Sequence, residues 1–174
     1  LAGSPNEEIK KFVANYEKTT DEVLKILSKD QGYDICEAAQ NRLLPQEWVT
    51  LLTLENEKII LKLNEENVSE EIYDILSESY NWQVKKIIAL HDKTPLKFLE
   101  KLSNENDADI KDALLFRSLP KEWKMLEDYE KIEKLEIEDN VAQNVLNTLA
   151  KSQNSSLREA IAIHPNTSLE DLDT

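Results

Sequence analysis

The chain has 174 residues, with 35 acidic and 21 basic side chains and a formal net charge of −14. This length can bury a substantial apolar core, and a hydrophobic content of 40% argues against a disordered chain. Two glycines and five prolines are few for a protein rich in strands and tight turns, so the composition favours helices.

The cysteine count and the hydropathy restrict the kinds of site and the cellular location that we expect. Cys36 is the only cysteine, which excludes an intrachain disulfide and a cysteine-cluster metal site. No apolar stretch approaches the ~20 residues of a membrane span, and residues 1–11 lack the pattern of a signal peptide. We therefore expect a cytoplasmic protein with no membrane segment. Its negative charge is repelled by nucleic acid and suits a basic partner.

Short strings recur along the chain in steps close to 25 residues. LPQEW at 44–48 returns as LPKEW at 119–123, which is 75 residues later, or three such steps. Internal repetition at this interval indicates a repeat architecture. The intermediate steps place successive helix entries at Thr19, Leu44, Val68, Thr94, Leu119, Val141 and Thr167.

A short amphipathic helix is predicted after each entry, and we name these the first-type helices. Apolar residues recur four, five and eight positions after the entry, and these offsets share one helix face. Lys124, Glu127 and Asp171 interrupt the pattern. Capping boxes at 19–22 and 167–170, and a proline directly after the entry in three other units, are typical of helix starts.

A second-type helix is predicted to close each unit. Two apolar residues four positions apart mark it, and neighbouring alanines permit close stacking. In two units this segment is more charged, and Ile59/Leu63 and Ile132/Leu135 are the candidate pairs there. The clearer pairs are Ile9/Val13, Ile35/Ala39, Val84/Ile88, Ile110/Leu114 and Leu157/Ile161.

The two helix types together predict the architecture. A helix pair of this kind cannot bury its apolar face alone and must stack on its neighbours. We therefore predict an all-α fold, an α-solenoid of about six to seven two-helix repeats that forms a single domain over residues 1–174. Residues 1–18 would be an N-terminal half repeat, and repeats would begin near residues 19, 44, 68, 94, 119, 141 and 167.

The recurring strings HPNTSLEDL (164–172) and DKTPLKFLEKLSNENDADIKDAL (92–114) resemble the leucine-rich repeat variant family. The resemblance implies a right-handed superhelix without strands, in which the second helix of a unit is 3₁₀-like in places. It is good over residues 19–39, 84–114 and 157–172 and weak in the two units that carry the LPxEW string. HEAT-like or tetratricopeptide-like arrays are the alternative, although their periods of ~34 to 47 residues are longer.

The two histidines lie in near-copies of one string, IALHDKTP (88–95) and IAIHPNTS (161–168). VANYEKTT (13–20) has the same register, so His91, His164 and Tyr16 occupy one column. The histidines are three units apart, and at roughly 10 Å per helix layer their rings cannot share one metal ion. We interpret the three residues as a structural repeat boundary and not as a metal or proton-transfer site.

Catalytic signals are weak throughout the sequence. It contains no Gly-rich phosphate loop, H-E-x-x-H or G-x-S-x-G string. Acidic residues such as those at 70, 71, 74 and 78 are typical of a solvated helix face. Cys36 lies between Asp34 and Glu37, which raise the pKa of a thiol and make it a poor nucleophile. We predict a non-enzymatic protein with no catalytic, cofactor-binding or metal-binding residues.

Aromatic residues supply the candidate binding positions. Trp48 and Trp123 lie in the apolar column of the first-type helices and are assigned to the core. Tyr80 and Trp82 lie in a connection between two helices, and Trp82 precedes Val84 by two residues, as Tyr33 precedes Ile35. Trp and Tyr dominate protein-binding hot spots, so these three are candidates for partner binding. Packing over the helix pair is the alternative.

Three functions follow from these features. The leading hypothesis is a protein–protein interaction scaffold that uses an extended helical-repeat surface. The second is an acidic inhibitor or immunity-like protein that masks a basic, nucleic-acid-binding partner. The third is a nucleic-acid-binding repeat module, for which basic residues recur on the second-type helices: Lys10, Lys11, Lys85, Lys86, Lys111 and Arg158.

Overall fold

The computed structural model describes residues 2–52, 56–65 and 68–168, and all regular structure in these ranges is α-helical. The predicted all-α class is therefore confirmed. The helices are α1 (Glu7–Asn15), α2 (Asp21–Leu27), α3 (Tyr33–Leu43), α4 (Gln46–Leu52), α5 (Asn56–Asn64), α6 (Glu70–Ser77), α7 (Trp82–Leu90), α8 (Leu96–Ser103), α9 (Ala108–Phe116), α10 (Lys121–Lys124), α11 (Asp128–Ile137), α12 (Gln143–Leu149) and α13 (Ser155–Ile163).

The two helix types alternate along the chain. Even-numbered helices are of the first type and odd-numbered helices of the second, and each first-type helix begins two residues after its predicted entry. The entry at Thr167 leads into residues 169–174, which lie outside the described ranges. The second-type helices adopt α geometry where the resemblance implied 3₁₀ turns. Their lengths of 9 to 11 residues exceed the few residues over which 3₁₀ hydrogen bonding is usually sustained.

The predicted apolar columns supply most of the core. Leu24, Trp48 and Phe98 are buried on the first-type helices, and the pair Ile59/Leu63 is buried on α5. On α11 the prediction needs correction, because Lys131 is buried together with Leu135 while Ile132 is partly exposed. Since α11 begins at Asp128, residues 131 and 135 take the positions that residues 59 and 63 hold in α5.

Three second-type helices begin with the same S-x-N turn. In each turn the serine hydroxyl oxygen accepts a hydrogen bond from the asparagine N–H, and the asparagine side chain then caps the helix. The turns are Ser4–Asn6 before α1, Ser79–Asn81 before α7 and Ser152–Asn154 before α13.

The same three helices also end alike. The residue after each helix is the Tyr16, His91 or His164 of the predicted column, and its carbonyl accepts from a threonine N–H three residues later. The hydroxyl of that threonine donates to the carbonyl six residues before it, at 2.5 to 2.7 Å. These threonines are Thr19, Thr94 and Thr167.

Three pairs of neighbouring second-type helices pack in parallel, with their C-terminal ends held together. α1 packs on α3, α5 on α7 and α11 on α13. Arg42 of α3 donates to the carbonyls of Ala14 and Tyr16 at the end of α1, at 3.0 and 2.6 Å. Lys93, just after α7, donates to the Asn64 carbonyl at 2.8 Å, and His164 donates to the Glu138 carbonyl at 2.8 Å. Donors of this kind satisfy the free carbonyls at a helix end.

The chain divides into two compact units, residues 1–102 and 103–174. In the first unit α3 packs on α1 and α2, and α7 packs on α5 and α6. In the second unit α13 packs on α11 and α12, and α9 contacts α12. Within the described ranges, no helix has the length and apolar character needed to span a bilayer. The single repeat domain and its superhelix stay predictions.

Candidate protein-binding surface

Tyr33, Tyr80 and Trp82 form what we name the aromatic patch, in the first unit. Tyr33 and Trp82 are the first residues of α3 and α7, and Tyr80 is the middle residue of an S-x-N turn. Their exposed fractions are 51%, 51% and 45%, so none of the three belongs to the core. The first turn of a helix leaves such side chains over its open end, where few neighbours cover them.

Contacts fix the two tyrosines although they are exposed. Their rings meet edge to face, with centroids 5.3 Å apart and planes at 87°. The Tyr80 hydroxyl donates to the Gln31 carbonyl at 3.1 Å, and the Tyr33 hydroxyl donates to Glu37 Oε1 at 3.2 Å. The hydrogen bond to Glu37, and then the charge of that carboxylate, raise the pKa of Tyr33. Both rings are therefore held in position at the surface.

Charged residues surround the aromatic patch in pairs. Asp34 pairs with Lys11, and Glu78 pairs with Lys29 at 3.0 Å. The ammonium of Lys86 lies 5.9 Å from the centre of the Trp82 ring, within the range of a cation–π contact. Charged groups therefore lie on residues near the aromatic side chains, as in the polar rim of protein-binding surfaces.

A shallow groove of about 400 Å³ lies between α6 and α8 of the same unit. Its lining residues are Glu70, Glu71, Asp74, Lys97, Phe98 and Lys101. Lys97 pairs with Glu70, and Lys101 pairs with Asp74 at 2.9 Å and Glu78 at 2.6 Å. Three of the four acidic residues predicted to be solvated therefore pair with the two lysines of the next first-type helix.

Glu78 and Asp74 both affect the pKa of Lys101. Burial lowers the pKa of this lysine, but its hydrogen bonds to the two carboxylates and their charges outweigh that effect and leave the pKa raised. Each residue of the Glu70–Lys97 and Asp74–Lys101 pairs lies 27 positions from its partner. Opposite charges spaced by about one repeat were therefore the sequence signal that could have revealed these two ion pairs.

The repeat-boundary residues have structural partners. His164 is buried, and its Nε2–H donates to the Glu138 carbonyl while Nδ1 accepts from the Asn166 N–H at 3.2 Å, an arrangement that uses the neutral ring. His91 is buried with Nε2 3.3 Å from Asn64 Oδ1. Tyr16 is half exposed and stacks on Phe12, with ring centroids 5.7 Å apart. No three or more metal-ligating side chains converge within the described ranges.

Cys36 is a buried residue of α3, and its thiol donates to the Ser28 carbonyl at 2.9 Å. Burial raises the pKa of this thiol to about 11, with further contributions from the charges of Glu78 and Asp30. The predicted direction is confirmed, although the main cause is burial and the contribution of Glu37 is smaller. A thiol with such a pKa is almost fully protonated near neutral pH.

Comparison with known protein families, with characterised proteins and with solved structures found no match.

Proposed function

We propose that this chain is a non-enzymatic scaffold that binds another protein through its helical repeats. The observation that carries the proposal is the aromatic patch, in which three aromatic residues are half exposed and two are fixed by contacts. Exposed, pre-positioned Tyr and Trp side chains lose little conformational entropy on binding and are the commonest hot-spot residues. We assign Trp82 as the central contact, with Tyr80 and Tyr33 beside it.

The architecture we propose is an α-solenoid of the leucine-rich repeat variant kind, with the right-handed superhelix that this resemblance implies. Two features support it: the regular spacing of the first-type helices and the parallel packing of three pairs of neighbouring second-type helices. Stacked helix pairs present one helix type as an extended surface, which suits a protein or peptide partner.

The two alternative functions have weaker support. An acidic antagonist needs unpaired carboxylates on one face, but Glu70, Asp74 and Glu78 pair with lysines. A nucleic-acid-binding strip needs free cations, but Lys10 and Lys11 pair with aspartates and Arg158 donates to the Ser152 carbonyl at 2.6 Å. The first arrangement disfavours an acidic antagonist, and the second disfavours nucleic acid as the partner.

The proposal is tested by capture and crosslinking with matched variants. The wild-type chain, Trp82→Ala and Tyr129→Ala are used as baits, since Tyr129 is an exposed aromatic residue in the second unit. Crosslinks from the captured protein should fall near the aromatic patch. Trp82→Ala should lower the affinity for that protein about tenfold or more, while Tyr129→Ala leaves it unchanged.

Thermal melts of the same variants separate binding from folding. Trp82→Ala should change the melting temperature little, because the ring is half exposed. Intact binding together with a large fall in melting temperature would show that Trp82 packs over its helix pair and would reject the proposal.

A further inference from the structure

The two tyrosines of the aromatic patch differ from Trp82 in what lies over their rings. The Trp82 ring already has a cation beside it, because the Lys86 ammonium lies 5.9 Å from the ring centre. Within the described ranges, no lysine or arginine lies over the ring of Tyr33 or Tyr80. Both tyrosine side chains are half exposed, so a cation from outside the chain can reach them.

The hydrogen bonds of the two tyrosines leave only acceptors at this end of the patch. The Tyr33 hydroxyl donates to Glu37 Oε1, and the Tyr80 hydroxyl donates to the Gln31 carbonyl. A phenol has one hydroxyl hydrogen, so each of these oxygens can only accept a further hydrogen bond, as can an ionised carboxylate. A group that binds here must therefore bring its own N–H or O–H donors.

Negative charge dominates around the Tyr33 hydroxyl. Glu37 is exposed, and Tyr33 is its hydrogen-bond partner among the described residues, with no ion pair to a lysine or arginine there. The pKa of Tyr33 is raised by the hydrogen bond to Glu37, then by the charge of Glu37, by burial and by the charge of Asp34. Asp34 contributes although it pairs with Lys11. A positively charged group is therefore the electrostatic complement of this end of the patch.

A guanidinium meets these requirements better than an ammonium. It is planar and stacks on an aromatic ring, and its five N–H groups lie in one plane, where they donate to carboxylate and phenol oxygens at the ring edge. An ammonium is compact and strongly hydrated, and it has no flat face to stack. Arginine is also enriched in protein-binding surfaces, whereas lysine is depleted.

We infer that Tyr33, Tyr80 and Glu37 form a recognition site for an arginine side chain of the partner protein. The guanidinium stacks on a tyrosine ring and donates to the Glu37 carboxylate, while Trp82 contacts a neighbouring part of the partner. This inference rests on the proposed protein-binding function and specifies the chemistry of the partner at one end of the aromatic patch.

A flexible, fluorescently labelled peptide with four arginines separated by glycine and serine is the probe, and the whole chain is the receptor. Matched peptides carry lysine or uncharged citrulline in place of arginine. Fluorescence anisotropy at about 150 mM salt, where the Debye length is about 8 Å, limits binding through net charge alone. The arginine peptide should bind about fivefold or more tightly than the lysine peptide, and the citrulline peptide more weakly than either.

Matched variants of the chain locate the binding site. Tyr33→Leu and Glu37→Gln should each weaken binding of the arginine peptide about fivefold or more, because they remove the stacking ring and the carboxylate acceptor. Glu159→Gln is the control for charge, since Glu159 is exposed and is the fifth residue of α13, as Glu37 is of α3. Tyr129→Leu is the control for an exposed tyrosine. Both controls should bind like the wild-type chain.

Circular dichroism melts show whether the variants fold. Glu37→Gln should keep the wild-type melting temperature because its side chain is exposed, so it tests the site even if Tyr33→Leu is destabilised. Equal affinity for the arginine and lysine peptides overturns the inference. So do equal losses in Glu37→Gln and Glu159→Gln, because binding would then follow the overall charge of the chain.

The inference and the proposed function fail separately. If capture of the partner is lost in Trp82→Ala but is unchanged in Glu37→Gln, the patch binds a protein without this arginine, and only the inference is overturned. If the arginine peptide binds as expected but no captured protein depends on Trp82, the arginine site stands and the scaffold proposal is rejected.

Discussion

The two repeats that contain the L-P-x-E-W string begin with the same kind of helix and differ in the residues that follow it. In both, the helix begins two residues after the leucine and buries the tryptophan, Trp48 in one and Trp123 in the other. α4 then continues for 7 residues, whereas α10 has only 4. A shared entry motif therefore fixes where a helix begins and leaves its length to the residues that follow.

The early end of α10 follows from two polar positions. Lys124 and Glu127 stand where the other unit has Val49 and Leu52, so the second turn of α10 has no apolar side to bury. Glu127 instead caps the start of α11, and its N–H donates to Glu130 Oε2 at 2.8 Å. The residue that would have extended one helix caps the next, which shortens the repeat.

A buried lysine lies near the junction of α10 and α11. Lys131 occupies the position of Ile59, and its ammonium donates to the Leu126 carbonyl just beyond α10. The same ammonium lies 4.8 Å from the centre of the Phe116 ring and 3.7 Å from Asp128 Oδ1. Hydrogen bonding and charge thus replace the apolar contact that the longer α4 repeat makes, and three pairs of substitutions test how closely the two arrangements match.

The tryptophans should have the largest effect. Trp48→Ala and Trp123→Ala should each lower the free energy of unfolding by about 3–5 kcal/mol, because each removes a large buried ring and leaves a cavity. Chemical denaturation followed by circular dichroism measures both values. Leu61→Ala, at an exposed position, serves as the control and should change stability by less than about 0.5 kcal/mol. A much smaller cost at Trp123 would show that the short α10 packs its ring less tightly.

The buried lysine should have an intermediate effect. Lys131→Met keeps most of the side-chain volume but removes the donor to the Leu126 carbonyl, and it should lower the free energy of unfolding by about 1–3 kcal/mol. Ile59→Met at the equivalent position of α5 should cost less than about 1.5 kcal/mol. If the Lys131→Met protein is as stable as wild type, the free-energy cost of burying the ammonium equals the stabilisation that its contacts provide.

The smallest effects should come from Lys62 and Lys134, which hold equivalent positions on α5 and α11. Lys62 binds Glu65 at 2.6 Å and Glu47 at 3.3 Å, while Lys134 pairs with Glu138 at 3.4 Å and lies 4.9 Å from the centre of the Trp123 ring. Lys62→Gln should cause a small loss of thermal stability that disappears at high salt, whereas Lys134→Gln should be less sensitive to salt, because Lys134 has one carboxylate partner and an aromatic contact. Melts at low and high sodium chloride distinguish them.

Because the pKa of Lys62 is raised, the effect of Lys62→Gln on stability should depend on pH. The hydrogen bond to Glu65, aided by Glu47, raises this pKa above its ordinary value of 10.5. The stabilisation is therefore fully present below pH 10.5 and is lost as the pH rises through the raised pKa. A Lys62→Gln protein should thus differ from wild type at neutral pH and converge with it in strong alkali.

Helix positions were predictable because periodic apolar residues and cap residues are local signals. They place six first-type helices to within two residues of the structure. Burial was less predictable, because it depends on what covers a face. Lys131 is buried and Ile132 is not, since the contact positions follow from where α11 begins, and residue type alone assigns the isoleucine to the core.

The candidate site was also only partly predictable, because its contacts depend on how the helices pack. Aromatic residues before Ile35 and Val84 were visible in the sequence, but the edge-to-face contact of Tyr33 with Tyr80 joins residues 47 positions apart and depends on helix packing. Ile9 on α1 is 38% exposed, although it belongs to the same apolar column as buried residues of other repeats. Exposure depends on the helices packed against a face, which a sequence column does not record.

The shortness of the helices has a consequence for folding kinetics. The longest of the described helices, α3, has 11 residues, and isolated helices of this length are marginal in water. Their main contacts join helices at most three elements apart along the chain. Few long loops must then close before contacts form, so each unit should fold quickly, and a short run of neighbouring helices is enough to nucleate it.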